Sequence, residues 1–113
     1  MTQHDDTVRL RHMLDHAREA LDLIKHKRRE DLRRERMLEL SLVRLIEIVG
    51  EAAARVSAEG QKKYSSIPWP LIVGMRNRLI HGYDQVDLDV LWDTIVYDLP
   101  PLITELEKVL KIS

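Results

Sequence analysis

The 113 residues suffice for a single domain, residues 1–113, that buries about two-thirds of the surface its unfolded chain exposes. A third of the residues are charged, Phe is absent and Gly and Pro are few, a balance that favours helix over sheet; zero cysteines exclude disulfides, thiolate metal sites and thiol catalysis. No apolar run approaches the roughly 20 residues of a membrane span, and Met1-Thr2-Gln3-His4-Asp5 is no secretion signal, so a cytoplasmic protein is expected.

The first helix is predicted from the N-cap Asp5-Asp6-Thr7 to about His26, with Leu10, Leu14, Ala17, Leu21 and Ile24 facing inward. His12 and His16 share a helix face at a spacing that suits zinc. They lie off the apolar stripe and lack a third ligand, so they read as solvent-facing and no metal site is predicted.

Between Lys25 and Arg36 seven basic residues stand against three acids, a net of +4. From Asp84 to Ser113 seven acids stand against two lysines, a net of −5. Such asymmetry either steers an anion toward one end, with Arg28, Arg29 and Arg33 as the residues that bind it, or is a solvated surface.

The longest helix is predicted over about Glu30 to Ser57. Leu38, Leu42, Leu45, Val49, Ala52 and Val56 form its stripe, widened by Val43, Ile46 and Ile48. A helix apolar nearly all round is a central or interface helix. Its polar strip is Arg44, Glu47, Glu51 and Arg55, which either meets solvent or orients Arg76 or Arg78. Gly50 costs about 1 kcal/mol relative to Ala inside a helix, so another element is expected to pack close there.

Gly60 to Pro70 reads as a turn region, with Ser65-Ser66 as caps and Pro68 in a first helical turn. A helix over about Trp69 to His81 follows, ended by Gly82. After a loop, Asp87 caps a last helix in which Leu88, Trp92, Ile95, Leu99, Leu102, Leu106 and Val109 recur at spacings of 4 and 3. The phase runs through Pro100-Pro101, so a kinked helix or two collinear ones is expected rather than a reversal. The predicted fold is all-α, an up-down bundle with four main helices.

The chemistry-bearing stretch is Arg76-Asn77-Arg78-Leu79-Ile80-His81-Gly82-Tyr83, which holds cations, an amide, an imidazole and a phenol. On a continuous helix Asn77 and His81 share a face. Arg76 and His81 are about 140° apart around that helix, so they converge through the reach of Arg or across a dimer. These residues suit RNA, which carries its own nucleophile, the 2′-OH, beside the phosphodiester it attacks. Histidine moves a proton near neutral pH, and arginine offers a forked, permanent cation to the phosphoryl oxygens. Asn77 either orients the imidazole or holds a phosphate oxygen, and Tyr83 donates a hydrogen bond. Whether His81 acts first as base or acid is open. The bland alternative is a helix end finished by His81 and Tyr83, with Arg76 in a structural ion pair.

The stretch resembles the HEPN superfamily signature, and with Tyr83 it is similar to the Arg-x4-His-x-Tyr form of HepT-type toxins. Ile48-Val49-Gly50-Glu51-Ala52, Pro68-Trp69 and Asp98-Leu99-Pro100 carry the resemblance beyond the motif, over most of the chain from Asp5. It implies a HEPN-like helical bundle and a metal-independent endoribonuclease. The catalytic residues would be Arg76 and His81, supported by Asn77, Tyr83, Arg78 and Glu51. It also implies a homodimer with facing motifs, no cofactor, and a nucleotidyltransferase antitoxin that transfers AMP to Tyr83. The competing class is a non-catalytic helical module that partners a nucleotidyltransferase.

Overall fold

Acids open the first helix: Asp5 and Asp6 sit in the first turn of α1 (Gln3–Leu23), where they complement the positive helix start. The computed structural model describes residues 3–82 and 85–112. Leu10, Met13, Leu14, Ala17 and Ala20 of α1 are all but fully buried, whereas Leu21 and Ile24 are only partly so. The chain leaves the helix through His26 in the left-handed region at φ 65°.

The long helix expected over Glu30 to Ser57 is two. Glu35, at φ −117° and ψ 87°, separates α2 (Asp31–Arg34) from α3 (Arg36–Ala54). Two contacts accompany the break. Leu32 turns into the core, and Lys27 Nζ grips both Glu35 carboxylate oxygens at 2.8 and 2.9 Å. That hydrogen bond raises the Lys27 pKa above its ordinary range. Helix α3 is central: α1 packs along one side of it, and the helices of the candidate site along another.

The expected turn region holds a short helix, α4 (Ala58–Lys63), capped by Ser57, whose side chain accepts from the Gly60 N–H. Asp6, nearly buried, accepts from the Ser57 N–H at 2.8 Å and the Ser57 hydroxyl at 2.5 Å, tying the start of α1 to this junction. A Cβ at Gly60 would collide with the Asp6 carboxylate.

The helix expected from Trp69 to His81 is also divided, into α5 (Trp69–Val73) and α6 (Met75–Leu79), with Gly74 between them. It stops at Leu79. Ile80–His81 (β1) then pairs antiparallel with Gln85–Val86 (β2), in the register Ile80↔Val86 and His81↔Gln85. Gly82 turns the chain at φ 72°, a conformation that glycine adopts without strain. Two-residue strands carry too little alternation to be seen in sequence.

Asp87 caps α7 (Leu88–Asp93) as expected, its side chain accepting from the Val90 N–H. The helical run continues through a π turn over Thr94–Asp98 into α8 (Leu99–Leu110). The discontinuity expected at Pro100-Pro101 is this π turn just before them, closed by the Leu99 N–H on the Thr94 carbonyl. Both prolines lie in the first turn of α8, where a missing N–H is tolerated. The class is all-α, HEPN-like. Its long members are α1, α3 and the α7–α8 run, and the helix of the candidate site is short and broken.

Candidate active site

Met75 and Leu79, both fully buried, anchor α6 and leave Arg76, Asn77 and Arg78 exposed on its outer side. Arg76 Nε donates to Glu47 Oε2 of α3 at 2.9 Å. The polar strip of α3 therefore does meet the site, through Glu47. Glu51, the strip residue expected in the supporting role, instead faces Arg44 at 3.8 Å. Glu47 is the contact that the sequence reading left out of the site, although it stands one helical turn before Glu51 on the same face.

Arg78 turns away from any shared centre. It donates to the Leu71 carbonyl at 3.0 Å and lies 3.7 Å from Asp98 in the π turn, so it braces α5 and α6 against the last helical run. The Asn77 side chain makes no hydrogen bond among the described residues. Because the helix ends at Leu79, Asn77 and His81 do not share a helix face.

His81 stands on β1, its side chain well exposed, with Nε2 3.9 Å from Asp87 Oδ2. That is too long for a hydrogen bond and is an ion pair only when the ring is protonated. The Asp87 N–H donates to the Leu79 carbonyl at 2.7 Å, closing the base of the hairpin that carries His81. Successive strand residues point to opposite sides, so His81 and Ile80 face apart. Ile80 looks into a groove of about 240 Å³ with Arg36, Leu40, Val43, Arg76 and Val86, and His81 does not line it. One chain thus offers its arginine and its imidazole on different sides of the hairpin. Tyr83, the third motif residue, lies outside the described residues.

The basic tip is docked rather than free. Arg29 reaches Asp93 at 2.7 Å and Asp89 at 3.1 Å, and these hydrogen bonds, Asp93 first, raise its pKa above the ordinary arginine range. Arg28 lies 3.5 Å from Glu30, and Arg33 is exposed. The basic and acidic blocks of the sequence therefore meet at α7 instead of marking opposite ends. His16 Nδ1 lies 2.7 Å from the carbonyl of His12. Among the described residues no three His, Cys, Asp or Glu side chains cluster as metal ligands, and no helix is long and apolar enough to cross a membrane.

The sequence pattern of the family described as "Ribonuclease HepT-like" matches residues 13–109, a span that includes α3, Arg76 and His81. The chain belongs to the HepT-like ribonuclease family. It is 34% identical over 102 residues to "Probable ribonuclease HepT" of Thermococcus cleftensis, which covers 87% of this chain and 93% of the relative. A protein of Caldanaerobacter subterraneus subsp. tengcongensis named as a candidate RNase is 33% identical over 102 residues, 90% of this chain and 91% of its own. A Methanocaldococcus jannaschii protein, also named as a candidate RNase, is 30% identical over 111 residues, covering 98% and 92% of the two chains. No solved structure gives a significant match. The resemblance seen in the motif and its flanks is thereby borne out at the level of family.

Proposed function

We propose that this HepT-like chain is a metal-independent endoribonuclease whose active site is completed across a homodimer. In this reading it is the toxin of a cytoplasmic toxin–antitoxin pair. The observation that carries the reading is the split site: Arg76, held by Glu47, opens beside the groove, while His81 stands on the other side of β1. Cleavage needs a base, an acid and a cation around one phosphate, and a two-fold axis that faces two hairpins supplies a second copy of each. Leu40, exposed and lining this groove, and Met37, exposed three residues before it on α3, supply apolar area for such an interface.

The 2′-OH loses its proton to one imidazole and attacks phosphorus. The P–O5′ bond breaks, and the leaving oxygen takes a proton from the second imidazole. Arg76 stabilises the charge that builds on the phosphoryl oxygens. Arg28 and Arg33 add positive charge for RNA at the tip, where Arg29 is already engaged by α7.

Tyr83 is the proposed point of control. A nucleotidyltransferase partner deprotonates its phenol, which attacks the α-phosphorus of ATP and expels pyrophosphate. The resulting phosphodiester sits two residues from His81 and competes with the substrate phosphate. Intact mass after coexpression with such a partner should rise by AMP units that vanish in Tyr83→Phe.

The deciding experiment incubates RNA with the protein in EDTA. Cleavage should persist, leave a cyclic phosphate, and be lost in His81→Ala and in Arg76→Ala. Abolition by EDTA, or undiminished cleavage in both variants, contradicts the proposal. The Arg76–Glu47 ion pair also suits a non-catalytic module that partners a nucleotidyltransferase. Toxicity that survives His81→Ala favours that second reading.

A further inference from the structure

A second groove, of about 280 Å³, lies between α1 and α3. Arg9 and His12 of α1 line it from one side, and Ile48, Glu51 and Ala52 of α3, with Arg55 at its C-terminal cap, from the other. Among the described residues neither Arg9 nor Arg55 has an ion pair. Glu51, the one carboxylate among the described residues that line the groove, faces Arg44 at 3.8 Å. Two guanidinium groups line a shared cleft with no anion assigned to them, over an apolar floor of Ile48 and Ala52. Such a pair attracts an anion, and forked guanidinium donors match phosphate oxygens.

The groove is aligned with the candidate active site. Glu47, Glu51 and Arg55 follow one another at four-residue intervals along one side of α3 and its C-terminal cap. Arg55 stands eight residues beyond Glu47, about 12 Å along the helix. A stacked strand carries a phosphate about every 3.4 Å along its axis, so the interval spans three to four nucleotides.

We propose that this groove binds a backbone phosphate of the RNA three to four nucleotides away from the bond cleaved at Arg76 and His81. Arg9 and Arg55 hold the phosphate oxygens, and the His12 imidazole closes the end of the groove. The assignment rests on the ribonuclease reading and extends it to the path of the substrate.

The test uses the full-length protein and a fluorescent 12-residue 2′-O-methyl RNA, which lacks the nucleophile and therefore binds without being cut. For single strands the salt dependence falls by about 0.7 per phosphate contacted, so the Arg9→Gln/Arg55→Gln double variant, which gives up one phosphate, should lower the slope of log affinity against log salt by about 0.7. The Arg9→Lys/Arg55→Lys variant should restore most of the slope. Lys62→Gln/Lys63→Gln, on α4, should leave it at the wild-type value. A slope unchanged in the double variant, or lowered equally by the α4 pair, overturns the proposal. So does a wild type that binds inorganic phosphate in the groove but shows no loss of RNA affinity on saturation with it. Wild-type cleavage of the unmodified 12-residue RNA is scored separately. If it is absent, the ribonuclease reading fails; if it is present while the slope does not respond, only the groove assignment fails.

Discussion

Glu47 fixes where the guanidinium of Arg76 points, and it does so from the most deeply packed helix of the molecule. We expect Glu47→Ala to slow single-turnover cleavage roughly tenfold, the loss that about 1.4 kcal/mol of misplaced transition-state stabilisation produces. Glu47→Gln, whose amide oxygen still accepts, should recover part of that rate. Melting temperature should hardly change in either variant, because half-exposed ion pairs contribute little to stability. An undiminished rate in Glu47→Ala would remove Glu47 from the site. The sequence made this contact half legible. The charged strip of α3 was visible from its period, yet Glu47 and Glu51 repeat on one face, and period alone cannot say which turn the next helix crosses. His81 was legible as a residue and not as a direction, because two residues of strand turn it away from the helix face that Asn77 occupies.

Packing decided the elements. A Cβ at Gly50 would lie 3.3 Å from the Ile72 carbonyl and 3.5 Å from that of Val73, so α5 rests directly on the backbone of α3. Gly50→Val should therefore cost about 1–3 kcal/mol by overpacking, and lower the melting temperature by roughly 5–15 °C. An unchanged melting temperature would mean that α5 can move away freely. The helical cost of a mid-helix glycine pointed to this approach in the sequence. The flanking motifs were readable for the same reason: Trp69 donates its indole N–H to the Gln61 and Tyr64 carbonyls, and Asp98 faces Arg78, so both hold the site helix. The breaks at Glu35 and Gly74 were not readable. Ile72, Met75 and Leu79 keep their apolar period across Gly74, and burial rewards that period whether or not the hydrogen-bond ladder continues. At Glu35 the break goes with the burial of Leu32 on α2, which period alone does not announce.

For the whole molecule, the consequence of a site that uses both imidazoles is dominance. Wild type refolded with an equal amount of His81→Ala should keep about a quarter of the activity shown by the same total amount of wild type, since about a quarter of the dimers carry both imidazoles. Retention of about half would mean that each chain acts on its own. The charge blocks show the limit of composition at this scale. Their existence was plain from the sequence, but not that Arg29 closes on Asp89 and Asp93, about 60 residues away, and neutralises part of the tip. Opposite charges so far apart in sequence meet only once the helices between them have packed.

Asp87 has a further meaning for how the protein matures. Its N–H closes the hairpin on Leu79, its carboxylate starts α7, and the same carboxylate faces His81. Closing of the hairpin that carries His81 and the start of the last helix thus share one residue. On the toxin reading, a nascent copy whose α7 has not formed has no closed hairpin to present its imidazole.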